Sequence, residues 1–422
     1  MKLSLRWLSR HVDLSGVEPQ QILADLTMST AEIEGLHRFG AGLEPLVVGH
    51  VRKREKHPDA DKLSVCEVDL GPAGGVCQIV CGAPNVAAGQ RVVVIKPGDT
   101  LPAAGGKGAL KIKVGKIRGV ESHGMICSES ELGLSEEADG IFTLPAETKI
   151  GARFVDVCPV QDWVFEIDNK SINHRPDLWG HYGFARELAA IYGRELRPVC
   201  EPVTLPAAGA SVEVIIDDPD ACPRYCGLRI DGVDSGASPD ELRWMLQAVD
   251  QRAINLPVDL TNFVMLDLGQ PMHAFDARHV GDRAIRVRNA SAGEQITTLD
   301  GQQRTLAETD LLICAGDEAE ALAGVMGGQG TMVEEGTTSL FLESANFRAA
   351  TIRRTTMRLG LRTDASTRFE KAQDPANAEL AVHHFLGLLR AYCPSACAAG
   401  PLVDPAGHSY DATPLLLRRD RL

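Results

Sequence analysis

Aromatic residues are scarce in this chain: Phe, Trp and Tyr make up 5% of its 422 positions. The shortage does not signal disorder, because 44% of the residues are hydrophobic and 24% charged, as in ordinary globular proteins. No run approaches the roughly 18 apolar residues that a membrane-spanning helix needs. The opening Met1-Lys-Leu-Ser-Leu-Arg-Trp7 has no apolar signal core. A cytoplasmic protein with no membrane partner is the expectation. Positive charge is also in short supply, with 43 Lys and Arg against 57 Asp and Glu for a net charge of -14. That deficit excludes a nucleic-acid partner only if charge is evenly spread, since exposed charges more than about 8–10 Å apart are largely screened. H-x-x-H, H-E-x-x-H and G-x-S-x-G sequences are missing, so neither a metal site nor a serine nucleophile is indicated. The 11 cysteines are odd in number and scattered. Their close pairs (Cys77/Cys81, Cys222/Cys226, Cys393/Cys397) are spaced C-x3-C, away from zinc-ribbon spacing, which reads as reduced structural thiols.

What is present is enough chain for two to four domains. Pro19-Gln-Gln-Ile-Leu-Ala-Asp-Leu26 reads as a helix with proline in its first turn and Ile22, Leu23 and Leu26 on one face. From about Leu46 to Leu144 the texture changes to short β-branched runs, "LVVGHV", "KLSVCEVDL", "CQIVCGA" and "RVVVIKPG", separated by turn residues, which suggests a small barrel. Helical spacing returns at Phe184, Leu188 and Ile191. That segment completes the first domain if the barrel is an insertion in one of its loops. A Pro- and Ala-rich linker, 199–210, precedes a long α+β block of about 211–400, where Asp374-Pro375 is expected to open a helix. The closing "TPLLLRRDRL" looks like the start of a further unit. The expected fold is therefore α+β and multidomain. It comprises an N-terminal α/β domain (1–39 and 152–198), a barrel (40–151), a larger α+β domain (211–400), and a linker with a truncated next domain (401–422).

The charge is segregated. Lys107, Lys111, Lys113, Lys116 and Arg118 follow one another with no acid among them, and Glu129, Glu131, Glu136, Glu137 and Asp139 come next. The Gly-rich stretch around Lys107 fails the G-x4-G-K-[ST] pattern of a phosphate loop. On a strand "LKIKVGKI", Lys111 and Lys113 alternate outward, either as a strip tracking a phosphate backbone or as a solvated face. A second basic cluster, Arg348, Arg353, Arg354, Arg358, Arg362, Arg368 and Lys371, surrounds Asp364 and Glu370, and reads as a salt-bridged segment or a phosphate grip. Glu343 follows an apolar run in "LFLESANF", where a carboxylate is costly unless paired; a nearby arginine is the plain choice of partner. His273, in "LGQPMHAFD", reads singly as a turn or core histidine.

In their order along the chain these motifs resemble the N-terminal half of the bacterial phenylalanyl-tRNA synthetase beta subunit. The carriers are "MKLSLRWLSRHVDL", "HPDADKLSVCEVDLG", "IVCGAPNV", "GKIRGVESHGMICSESELGL", "DLTNFVMLDLGQPMHAFD", "LAGVMGG", "FLESANF" and "RTDASTRFEKAQDP". The family's Asn-Arg-x-Asp motif is represented by Asn173-His-Arg-Pro-Asp177. The resemblance implies an oligonucleotide-binding-fold barrel that contacts tRNA, then a B3/B4 domain that hydrolyses mischarged tyrosyl-tRNA. In the family pattern Glu343 reads the tyrosine hydroxyl, and Gly327 and Ala365 leave room for the ring. Likewise by resemblance, His273 and Arg252 position the terminal adenosine and ester, and Asn262 and Thr363 hold the amino acid or a water. The tRNA contacts would fall on Lys107, Lys111, Lys113, Lys116 and Arg118.

The same resemblance implies that the parent enzyme is a phenylalanine-tRNA ligase. Its partners would be tRNA(Phe) and an alpha subunit in a heterotetramer of two alpha and two beta chains. It implies no metal and no cofactor for this part of the subunit, with ATP and Mg2+ serving the complete synthetase. Two other functions stay open on sequence: a non-catalytic RNA-binding or assembly module built on the basic strip, and a free-standing hydrolase of another ester.

Overall fold

A computed structural model describes residues 1–102, 108–135, 140–407, 413, 414 and 416–421. The chain is mixed α and β and divides into two compact units. The first comprises Met1–Arg10, Leu14–Asp168 and Pro239–Ala253; the second comprises His11–Asp13, Asn169–Ser238 and Ile254–Leu422. Among the described residues no helix is long and apolar enough to cross a membrane.

In the first unit the helix Pro19–Ser29 forms as its pattern dictates, with Pro19 in the first turn and Ile22 and Leu26 buried. The barrel sheet runs in the order Met125–Ile126, Arg91–Ile95, Val47–Lys56, Ser64–Asp69, Val76–Cys81, and Thr143–Leu144 adds to the Arg91–Ile95 strand. Alternation decides its two faces. Cys66, Val68, Ile79, Cys81, Val92 and Val94 share one cluster, while Val93 and Ile95 turn to another with Phe142 and Phe154. The stretch read as one strand, "LKIKVGKI", is instead two short pieces: Leu110–Lys111 pairs with Thr100–Leu101, and Gly115–Ile117 pairs with Val120–Ser122. The break follows from a change of partner around Gly115 and from the tight hairpin at Arg118 and Gly119, both at positive φ (46° and 88°). Side-chain alternation survives it, with Ile112 buried between exposed Lys111 and Lys113.

The second unit is built on two sheets. One is antiparallel, in the order Met272–Asp276, Ser339–Asn346, Arg224–Asp231, Cys397–Ala398. The other runs Val214–Ile216, Ile285–Asn289, Leu311–Ala315, Glu318–Leu322, Met326–Gly327. Tyr225, Phe275, Phe341 and Ala345 of the first sheet share a core with Val287, Leu312, Ile313 and Leu322 of the second. Burying these apolar faces is the main favourable term holding the sheets together.

The opposite face of the first sheet is covered by the helices Leu256–Leu268 and Asn377–Tyr392. Asn255 caps the former, its side chain accepting from Val258 N–H at 3.1 Å, and Pro257 sits in its first turn. It ends on Gly269 at φ 78°, a left-handed cap that an L side chain resists. Gln270 then ties the turn down by donating from Nε2 to Ala345 O at 2.8 Å, and the chain enters the His273 strand. The later helix begins at Asn377 and not at Pro375. Asp374 and Pro375 form the turn before it, the Asp374 carboxylate accepting from Ala376 N–H at 2.9 Å.

Beneath this face Asp267 is fully buried and receives hydrogen bonds from His11 Nε2 at 2.6 Å and His384 Nε2 at 2.8 Å. Burial pushes its carboxyl up, but the two histidine hydrogen bonds more than reverse this and hold it well below the usual range. Asp267→Asn removes the charge and is expected to lower unfolding free energy by about 3–5 kcal/mol, measured by urea titration at pH 7. A depressed folded pKa stabilises above the unfolded value and ceases to do so as pH falls through the folded one. The deficit of Asp267→Asn should therefore shrink below about pH 4.

Candidate active site

Cross-strand register places Glu343 directly opposite His273 on one side and Gly227 on the other. Residues opposite one another in adjacent strands project from the same face. Glu343 is 6% exposed, and burial pushes its carboxyl up to about 8, with the Tyr225 hydrogen bond pulling the other way. Its partner is a tyrosine and not the arginine that composition suggested: Tyr225 Oη donates to Glu343 Oε2 at 3.1 Å. The nearest arginine in the neighbouring strand, Arg224, points away by the strand's period of two. There it donates to Asp404 from Nε at 3.0 Å and to Glu379 from Nη2 at 2.6 Å.

His273 is partly exposed as a residue, yet its Nε2 is sealed from solvent and has no hydrogen-bond partner among the described residues. Burial pushes this imidazole down to about 4, so at neutral pH it carries no charge. Its ring meets Phe275 edge-on with centroids 4.4 Å apart. Gly327 lies against it: a Cβ there would stand 2.6 Å from His273 Cε1 and 2.9 Å from Nε2. The glycine is the space the imidazole occupies.

Thr363 caps the helix Asp364–Phe369 in a reciprocal box with Ser366. Its hydroxyl also donates to Val325 O at 2.8 Å, two residues before Gly327. Ala365 is partly buried against the core that contains Phe347 and Phe369. Asn262 is partly buried on the helix Leu256–Leu268, which packs on the His273 strand. Glu343, His273 and Gly327 are thus brought into one patch, with Thr363 tied to the segment leading into it. Arg252 falls in the first unit, within Pro239–Ala253. The second basic cluster is salt-bridged where it meets its acids: Arg362 to Glu370 at 2.7 Å, Arg368 to Asp364 at 3.1 Å and Lys371 to Glu370 at 3.1 Å.

In the first unit Lys111, Lys113, Lys116 and Arg118 are all exposed, and Lys107 lies outside the described residues. Lys111 and Lys113 line a cleft of about 580 Å³ together with Cys81, Pro84, Met125 and Glu131. Tyr225 is the residue that sequence reasoning missed. In "CPRYCGLRI" nothing ties it to a carboxylate 118 positions on, and only the register of the sheet does so.

Two family models match the chain: "Putative tRNA binding domain" over residues 46–153 and "B3/4 domain" over residues 221–394. Curated relatives include phenylalanine-tRNA ligase beta subunits. That of Nitratidesulfovibrio vulgaris is 46% identical over 384 residues, covering 89% of this chain and 46% of the relative. That of Geobacter sulfurreducens is 42% identical over 407 residues, covering 95% and 49%. That of Geobacillus kaustophilus is 39% identical over 437 residues, covering 100% and 52%. The chain spans about half the length of the curated relatives it matches.

Two substitutions probe the patch without reference to activity. A carboxyl whose folded pKa is raised stabilises fully below its unfolded value and loses that contribution as pH rises through the folded one. Glu343→Gln is therefore expected to gain stability over the parent between about pH 4 and 8, by on the order of 2–5 kcal/mol at the upper end; melting curves across that range check it. Gly327→Ala needs no unusual backbone, so its expected cost of about 1–3 kcal/mol comes from displacing the His273 ring. An unchanged His273 NMR environment in that variant would contradict the contact.

Proposed function

Because the chain is a homologue of phenylalanine-tRNA ligase beta subunits and contains a tRNA-binding and a B3/4 domain, we propose that it serves as the tRNA-binding and proofreading part of such a subunit. Its reaction is hydrolysis of tyrosyl-tRNA(Phe). The chemical need comes from the size of one hydroxyl. An apolar pocket for phenylalanine rejects an isostere that merely adds a hydroxyl by only about 10²-fold, whereas a site that hydrogen-bonds the hydroxyl discriminates far more strongly. The observation that carries the reading is the buried Glu343 carboxyl, opposite His273 in the sheet and beside Gly327.

In this reading Glu343 accepts the phenol of a tyrosyl ester, and Gly327 and Ala365 leave its ring space. His273, uncharged at neutral pH, hydrogen-bonds the terminal adenosine or ester; Asn262 and Thr363 hold the amino acid or the attacking water. Water adds to the ester carbonyl and the bond to the ribose oxygen breaks, giving free tyrosine and a tRNA with its terminal hydroxyl restored. Orientation and oxyanion stabilisation carry the step without a covalent protein intermediate. The same proposal assigns phenylalanine ligation to the complete synthetase, in the cytoplasm. There an alpha subunit, in a heterotetramer of two alpha and two beta chains, would use ATP and Mg2+.

A second reading, a non-catalytic RNA-binding or assembly module, is favoured by the exposed Lys111, Lys113, Lys116 and Arg118, of which Lys111 and Lys113 line the first unit's cleft. The two are separated by mixing the full chain with tyrosyl-tRNA(Phe) and with phenylalanyl-tRNA(Phe). Release of free tyrosine well above the buffer rate, with Glu343→Ala lowering the tyrosyl preference by about tenfold or more, is the expected outcome. Tyrosine release no faster than buffer, alongside salt-sensitive RNA binding, favours the second reading. Reversing Lys111 and Lys113 to Glu is expected to weaken tRNA binding and flatten its dependence on salt, followed by filter binding from 50 to 200 mM salt.

A further inference from the structure

Glu343 can read a hydroxyl only if one carboxyl oxygen is aimed and the other is occupied. Among the described residues its hydrogen-bond partner is Tyr225, which takes Oε2 and leaves Oε1 without a protein partner. Three features fix that geometry. Tyr225 is fully buried on the central strand of the sheet, so its hydroxyl must find a partner inside the protein. It stands two residues from Gly227, the residue directly opposite Glu343, and so reaches the carboxyl diagonally on the same face. Gly227 contributes no side chain there, and a Cβ would come within 2.6 Å of the Phe341 ring, so the space beside Glu343 on that side is already filled by Phe341. The carboxyl is thus walled by His273 on one strand, by Phe341 on its own strand, and anchored by Tyr225 diagonally.

We propose that Tyr225 is a positioning residue for specificity: its hydroxyl pins Glu343 Oε2 so that Oε1 faces the para-hydroxyl of the bound amino acid. The inference rests on the proofreading reading given above. Tyr225 touches no substrate and acts through Glu343 alone. Its hydrogen bond also pulls the carboxyl down against the larger upward push of burial. Tyr225→Phe keeps the ring and removes the hydroxyl.

The test is a double-mutant cycle in the full chain with tyrosyl- and phenylalanyl-tRNA(Phe) as probes, comparing the parent, Tyr225→Phe, Glu343→Ala and the double variant. Tyr225→Phe is expected to reduce the tyrosyl preference about tenfold with phenylalanyl-tRNA hydrolysis unchanged, and to have no further effect in the Glu343→Ala background. The pH at which the preference changes should move upward, as should the Glu343 carboxyl titration followed by carbon NMR. If the parent shows no tyrosyl preference, the proofreading reading fails and the inference goes with it. If the parent discriminates and Tyr225→Phe discriminates equally, the inference alone is overturned. Equal losses on both esters mean that the hydroxyl supports the fold and not the selection, which also overturns it.

Discussion

A carboxyl buried against a tyrosine hydroxyl, in the middle of an otherwise apolar sheet face, is the constraint around which the second unit is arranged. Desolvation of Glu343 works against stability unless the group is neutral or hydrogen-bonded, and the sheet supplies one partner, Tyr225, and stops there. Phe341, Phe275 and Ala345 share the same face and the same core. His273 repeats the logic with its sealed Nε2, unpartnered among the described residues. Both groups lie in one patch, where the His273 ring fills the space that Gly327 leaves.

The surrounding elements hold that surface still. The left-handed cap at Gly269 and the Gln270 bond to Ala345 set where the His273 strand begins, and the buried Asp267 hub holds the end of the helix before it. From the other side, Thr363 uses its hydroxyl to join the cap of one helix to the backbone next to Gly327. In the proofreading we propose, which selects by orientation, rigid elements of this kind keep the groups in place. The basic strip has a different character. Its described lysines Lys111, Lys113 and Lys116 are exposed, with Lys116 3.9 Å from the Glu121 carboxylate.

Much of this was legible in order. Strands of the barrel and the α+β block announced themselves by β-branched runs and turn residues, and Glu343, His273 and Gly327 lie in short motifs that the family resemblance picked out. Local chemistry misled where a long-range partner decided the outcome. "LKIKVGKI" alternates as one strand should, yet its two halves pair with different segments. Asp374-Pro375 has the composition of a helix start, but its turn is completed before the helix begins at Asn377. Composition favours an arginine as partner for a buried glutamate, and the strand's period of two sends Arg224 to the opposite face.

Composition and pattern by themselves determined the mixed class, the barrel's alternating faces, the segregated charge and the residues worth watching, because those follow from periodicity and residue type within short windows. Register was decided only in three dimensions. Tyr225 and Glu343 are 118 positions apart, His273 and Glu343 are 70, and no local rule couples them; a shift of one residue in either strand would turn the carboxyl to the helices and dissolve the site. Side-chain burial on both faces forbids that shift, and so the packing of the whole sheet chooses which hydroxyl the carboxyl meets.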